Sequence, residues 1–475
     1  MGYNTPEEIT QIHAKLTATF RSGVTIPLAY RRQQLLQLAR LAQENAEVIM
    51  TSLKADLGRH RLEAALPEVG PIVASALLSA AKLEEWTKPE KPEVEEWRSS
   101  WDTTIYKAPK GVVVNITPWN YPWVISLLPL AGAIAAGCTC LIKPSEHSPN
   151  CSQLMADLFP RYLDPNAYAV VQGAAPETTH LLTLKWDHIF YTGSTAIGRI
   201  VATAAAKHIT PLTLELGGKS SVVVDGDNTD LEIAAKRILW GKQQNAGQVC
   251  VAPDHVYVPR KHQDALVAAF KKAYETFWPH AKGALDPAAE ISHMVNETHY
   301  NRIRGLLRDT NGNVAVGGSA GDNLRIEPTI VKDVDLLDPL MEQEIFGPVI
   351  PIVPVDDIES AITHIQAGPI PLVLYIFTNS DETKEKFVHR TQSGQLILND
   401  TFAQLGVYEI PFGGQGDSGY GAYFGKHSFD AFTQRRGSIN VPLAAEPYMG
   451  LRYPPYSEEA FQALTAQAQM KIPDA

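Results

Sequence analysis

Three short segments hold residue types able to do chemistry together. Cys250 follows Gln244-Asn245-Ala246-Gly247-Gln248-Val249 and precedes Ala252-Pro253, so it falls at a bend closing a helix expected over Leu231–Asn245. A thiol placed there is partly accessible, and local dipoles can lower its pKa and make it a nucleophile. The alternative is a buried, inert cysteine. Glu215 stands in Leu214-Glu215-Leu216-Gly217-Gly218, inside an apolar strand that breaks on glycine. Burying a carboxylate is costly without a partner or a task, so Glu215 is either half of a structural ion pair or a functional group. The third segment, Tyr191-Thr-Gly-Ser-Thr-Ala-Ile-Gly198, follows a strand and opens a helix through His208. Free N–H groups and the helix dipole there suit the phosphates of a nucleotide, although many strand-to-helix turns contain Gly and Ser.

Other matches fail on context. Gly414, Gly416 and Gly419 spell a dinucleotide fingerprint, but Pro411 precedes them and no βαβ unit surrounds them. Gly218-Lys219-Ser220 resembles the end of a Walker A loop, but Thr213 occupies the position of its first glycine. Cys138, Cys140, His147 and Cys151 could form a Cys₃His zinc site. The first two also fit one face of a buried strand as small apolar residues, and no metal is expected.

These residues need elements to position them. From Gly111 onward short apolar strands (112–116, 138–142, 168–172, 187–191, 212–216) alternate with helical stretches. A second alternating block follows, with strands at 221–224, 255–258, 349–355, 372–377 and 394–398 and helices at 231–245 and 262–277. Such alternation marks βαβ units and mostly parallel sheets. The first ninety residues are helical in pattern, at 30–53 and 63–86, and 97–106 reads as an extended excursion. With 475 residues, two or three domains are expected.

Lys+Arg 41 against Asp+Glu 52 gives a net charge of −11, which argues against nucleic acid or anionic lipid as partners. Four cysteines suit a reducing compartment, and no basic-then-apolar leader opens the chain, so a cytoplasmic location is expected. The uncharged run 123–142 has the length of a membrane span. It contains Pro129, Gly132 and Gly137, however, and reads better as a buried helix over 122–136, a stop at Gly137, and a strand over 138–143. No membrane association is expected.

Taken together, Glu215-Leu-Gly-Gly-Lys219, Gly247-Gln-Val-Cys250, Pro118-Trp-Asn120 and Glu344-Ile-Phe-Gly-Pro348 resemble the aldehyde dehydrogenase superfamily, in its order, from about residue 10 to 440. The stretches Trp119–Trp123, Gly421–Lys426 and Leu451–Pro455 are similar to its class 3 branch. The resemblance implies an α/β fold with two doubly wound open-sheet domains, Rossmann-like NAD-binding and catalytic, plus a small β bridging and oligomerisation extension. The expected bounds are 1–84 and 108–216 for the NAD(P)-binding domain and 217–399 for the catalytic domain. The extension takes 85–107 and 400–441, and a tail takes 442–475.

The implied activity is oxidation of an aldehyde to a carboxylic acid with NAD or NADP, on aromatic or medium- to long-chain aliphatic aldehydes, by a homodimer. Cys250 would be the nucleophile, Glu215 the first choice of base, and the Asn120 amide with the Cys250 N–H the oxyanion donors. Lys143 and Glu146 would hold the adenosine ribose. Gly193 and Ser194 would line the pyrophosphate side, and Gly198 and Leu216 would also bind the cofactor. Glu344 would meet the nicotinamide ribose or act as an alternative base, and Phe346 would flank the nicotinamide. Tyr121 and Val249 would line the substrate pocket, and Trp123 is either a pocket wall or a core aromatic. Gln243, Gln404 and Asp417 depart from the family's pattern. An enzyme passing the acyl group to coenzyme A or phosphate is a rival reading, as is a non-catalytic nucleotide-binding protein; the intact Cys, Glu and Asn set opposes the latter.

Overall fold

The computed structural model describes residues 2–466 and 472–474. The rest of the expected tail, 467–471 and 475, lies outside the described residues. The chain forms two compact units, a larger one of Met1–Trp86 with Pro109–Thr433 and a smaller one of Thr87–Ala108 with Gln434–Ala475.

Two sheets organise the larger unit. The first has six strands in the order Gly419–Tyr420, Leu212–Leu216, His188–Gly193, Val112–Ile116, Thr139–Lys143, Tyr168–Val170. All pairs are parallel except the first, in which Gly419 opposes Glu215. Val112–Ile116 and Thr139–Lys143 are buried at every position, as parallel strands covered on both faces must be. The second sheet has seven strands, Gln395–Leu398, Val373–Phe377, Ser221–Val224, His255–Pro259, Val349–Val355, Thr329–Lys332 and Asn313–Val316, the last antiparallel to its neighbour. These are the mostly parallel sheets that the alternation implied, in the α/β, doubly wound architecture that the resemblance implied.

The uncharged run 123–142 splits as expected. Helix Val124–Ala136 ends at Gly137, whose φ of 91° is left-handed, and the strand begins one residue later than expected, at Thr139. Among the described residues, the helical stretch long and apolar enough to cross a membrane is a different one, Arg61–Thr87. Its Ile72, Ala76, Ala80 and Leu83 are buried in the core, and a π turn over Ala65–Val69 interrupts it.

The glycine cluster at 414–419 forms one 3-10 turn and a two-residue strand, so it opens no βαβ unit. Cys138, Cys140 and Cys151 are buried, and burial pushes all three thiols up. Among the described residues no group of three His, Cys, Asp or Glu side chains is arranged to hold a metal ion.

The smaller unit contains residues 104–108 and 434–438 of the two-stranded sheet formed by Thr104–Pro109 and Thr433–Ser438. Glu90 braces it by accepting from Lys107 and, at 2.6 Å, from Arg435. Trp97 packs edge-on to Trp101 with 5.2 Å between centroids.

Candidate active site

Helix Leu231–Gln243 begins at Asp230, whose side chain caps the N–H groups of Glu232 and Ile233. It stops two residues before the expected end because Asn245 and Ala246 turn left-handed, with φ of 49° and 53°. Gly247 follows at φ 72°, where a Cβ would collide with the Gly347 carbonyl. This turn swings Cys250 well clear of the helix, half-buried, with its carbonyl held by the Ser220 hydroxyl at 3.2 Å.

Cys250 and Glu215 line one cavity of about 840 Å³, shared with Tyr121 and Val249. Its other walls are largely apolar, among them Leu66, Leu128, Trp240, Phe277 and Phe402. Glu215 is 2% exposed, and neither carboxylate oxygen has a hydrogen-bond partner. The hydroxyl of Thr192, its partner in the parallel register, is likewise unpartnered. Desolvation raises the Glu215 carboxyl to about 7, against an opposing pull from the Cys250 thiol and the Thr192 hydroxyl.

The thiol departs from expectation. Instead of being lowered by dipoles, it is raised well above its ordinary value, first by burial and then by the Glu215 and Glu344 carboxylates; its backbone N–H offsets only part of this. At rest Cys250 is a thiol beside a desolvated carboxyl.

Asn120 is buried, and its amide nitrogen donates to the Gln248 carbonyl at 3.1 Å, which ties it to the cysteine loop. It does not itself line the cavity. Its own carbonyl accepts from the Arg59 guanidinium and, at 3.1 Å, from the Asn245 amide. Arg59 pairs with Glu68 at 2.7 Å, and the other Glu68 oxygen accepts from the N–H groups of Trp123 and Val124. The same guanidinium lies 4.2 Å over the Tyr121 ring. Tyr121 is thereby fixed as a cavity wall, whereas Trp123 is a core aromatic whose indole donates to Ser52 at 3.3 Å.

Beyond the same end of the sheet as Glu215, Ser194 caps helix Thr195–Ala206, its hydroxyl accepting from Ile197. Gly193 ends the adjoining strand opposite Leu216. Gly198 allows the helix to press against Leu216, whose methyl would stand 2.7 Å from any Cβ there. Ile197 and Ile200 are 46% and 58% exposed, an apolar face next to that N-terminus. Lys143 is buried, donates to the Gly173 carbonyl at 3.1 Å and pairs with Glu146 at 3.4 Å. Burial would raise Glu146, but Lys143 holds it below its ordinary value.

Glu344 presses against Gly217, where a Cβ would strike its carboxylate. Burial, reinforced by Asp254, pushes it to about 8 against the Gly218 N–H, Lys219 and Lys242. Phe346 is left-handed at φ 46° and packs edge-on to Trp119 at 5.6 Å.

Two residues missed from the sequence join these loops. Lys219 pairs with Asp254 at 2.5 Å and donates to the carbonyls of Gln343 and Leu340. The other Asp254 oxygen accepts from the Ile345 N–H at 2.8 Å, and Arg302 donates to the Ile345 carbonyl at 2.6 Å. One ion pair thus fastens the Glu344–Phe346 loop to the chain beyond both Glu215 and Cys250. The available signal was spacing: Lys219 follows Glu215, and Asp254 follows Cys250, by the same short step.

A thiol and an unpartnered carboxyl share one cavity, and a buried amide braces the cysteine loop beside it; the chain that carries them matches known proteins closely. The aldehyde dehydrogenase family model matches residues 2–437. The chain belongs to this family. It is 42% identical to the dimeric NADP-preferring aldehyde dehydrogenase of Rattus norvegicus over 92% of this chain and 95% of that one. It is 39% identical to aldehyde dehydrogenase family 3 member H1 of Arabidopsis thaliana over 98% and 96%. A solved substrate-bound state of Staphylococcus aureus AldH superposes with a TM-score of 0.93 at 35% identity, over 97% of this chain and 99% of that one. An NAD⁺ complex of an aldehyde dehydrogenase from Bacillus cereus superposes at 0.84, with 26% identity over 93% and 90%. The family 3 relatives agree with the class 3 resemblance, and the chain is an oxidoreductase acting on aldehydes.

Of the three departures from the family's pattern, only Gln243 lines the cavity. Gln404 is buried and donates to the Tyr375 hydroxyl at 3.2 Å. Asp417 accepts from the Ile370 N–H at 3.3 Å.

Proposed function

We propose that this chain oxidises aromatic or medium- to long-chain aliphatic aldehydes to carboxylic acids through a covalent Cys250 intermediate. The observation that carries this reading is the unpartnered, desolvated Glu215 carboxyl sharing an apolar cavity with the Cys250 thiol. As the sulfur bonds to the carbonyl carbon, its proton passes to the Glu215 carboxylate, which removes the barrier set by the raised thiol. The carbonyl π electrons move onto oxygen, where the second Asn120 amide hydrogen and the Cys250 N–H would meet the charge; one such donor is worth about 10²–10³ in rate.

The chain uses NAD or NADP. Bound, the dinucleotide supplies the two-electron acceptor that converts the thiohemiacetal to a thioester. The residues present fit such a group: the Ser194–Ile197 N-terminus can face its pyrophosphate, Ile197 and Ile200 offer a face for a base, and the Lys143–Glu146 pair can bond a ribose. Glu344 would accept from the other ribose, and Phe346 would bound the nicotinamide. Glu215, once deprotonated to solvent, takes a proton from water as the hydroxide oxygen bonds to the thioester carbon. The C–S bond then breaks, and the acid leaves.

The rat relative's name supports a homodimer, and four unpaired cysteines support a reducing, cytoplasmic setting. The test is Cys250→Ser with a panel of aldehydes and both cofactors. Turnover is expected to vanish while nucleotide binding persists. Wild-type turnover in that variant would remove the nucleophile assignment.

A further inference from the structure

We propose that Gln243 is a specificity-determining residue, and that the cavity takes aldehydes bearing a second, neutral oxygen function (a hydroxyl or a keto group) along the chain. The inference rests on the aldehyde oxidation proposed above and goes beyond it to the kind of aldehyde. Gln243 is the last residue of helix Leu231–Gln243, half-buried, and lines the cavity that Cys250 and Glu215 share.

Every other amide, carboxylate and imidazole lining that cavity, outside the catalytic pair, is already engaged. Glu63 accepts from the Asn245 N–H and, at 3.2 Å, from the Ser292 hydroxyl. His60 pairs with Glu290 at 3.4 Å. The Gln244 amide donates to the Trp240 carbonyl at 3.4 Å. Among the described residues the Gln243 amide has no such bond, although the cavity it lines is walled by Trp240, Val249, Phe402 and Phe412.

An amide among apolar walls loses water when an apolar chain enters, and the loss goes uncompensated unless the chain brings a partner. A hydroxyl can donate to its carbonyl oxygen, and a keto oxygen can accept from its nitrogen. Charge narrows the class further. Glu63, Glu215 and Glu290 line the cavity, and no Lys or Arg among its lining residues would compensate a carboxylate on the substrate. The oxygen function is therefore neutral.

The test compares kcat/KM for straight-chain aldehydes with isosteric partners carrying one hydroxyl or keto group at successive carbons, in the wild type, Gln243→Met and Gln243→Glu. Methionine keeps the length and removes the hydrogen-bonding amide. In the wild type, one position of the oxygen is expected to raise kcat/KM about 10-fold over the plain chain, the worth of one hydrogen bond. Gln243→Met should abolish that ratio while raising efficiency on plain chains. Gln243→Glu should keep a preference for the hydroxyl and lose the one for the keto group.

A wild type that shows no preference at any position overturns the proposal without reference to either variant. So does a preference that Gln243→Met leaves intact. Absence of turnover with every aldehyde would instead overturn the oxidation reading, and the two failures are thereby told apart.

Discussion

Glu215 sets the pH behaviour of the site, because desolvation brings its carboxyl to about 7. Below that value it is protonated and can take a proton neither from the thiol nor from water. The rate should therefore rise as pH increases through about 7, with the apparent value belonging to the Glu215–Cys250 pair. Glu215→Gln removes the base, but it also removes one of the two carboxylates that raise the thiol. Acylation is thus partly compensated, whereas the attack of water loses its proposed base. Rapid mixing should show a retained burst of about one reduced nicotinamide per site and a steady state lowered about 10²–10⁴-fold. Loss of the burst with unchanged deacylation would reverse this division of labour. Glu215 was legible in the sequence because a carboxylate in an apolar strand at a glycine break contradicts the strand around it. The direction of the Cys250 shift was not legible, since it depends on carboxylates from two distant segments that meet only in the fold.

At the scale of elements, the Lys219–Asp254 pair holds the Glu344–Phe346 loop at the Gln343 carbonyl and the Ile345 N–H. Asp254→Asn leaves Lys219 unpaired in a mostly buried site, and removing one partner of such a pair costs about 3–5 kcal/mol. A lower melting temperature would follow from that alone. The positioning role is separated by the double variant Lys219→Met/Asp254→Asn, which no longer strands Lys219, although the buried Lys242 still loses the Asp254 charge. Its melting temperature should therefore recover in part, while its cofactor KM stays raised about 10-fold and its aldehyde KM moves little. A wild-type cofactor KM in the folded double variant would show that the pair does not position the loop. The strands feeding these loops were readable within a residue or so, at 112–116, 212–216, 221–224 and 349–355, because doubly covered parallel strands are unbroken apolar runs. The turn at 244–247 was not, because helical periodicity continued through Asn245 and only the close approach of Gly347 to Gly247 forces the chain left-handed there.

The whole molecule bears the energetic cost of its site. Moving a fully desolvated carboxyl from its ordinary value near 4.5 to about 7 destabilises the folded state by on the order of 3 kcal/mol once pH exceeds both values. Glu344, at about 8, adds a cost of the same sign. The folded state binds these protons more tightly than the unfolded chain, so the contribution is favourable at low pH. It is lost as pH rises from about 4.5 through 7 for Glu215 and through 8 for Glu344. Glu215→Gln keeps the shape of the side chain and removes its ionisation. Its melting temperature should exceed that of the wild type by a few degrees at pH 8, and the gain should shrink toward zero near pH 5. A gain equal at both values would mean that the amide acts through packing. No gain at pH 8 would mean that the carboxylate finds water or a cation in solution, and the account of a desolvated base would fail with it.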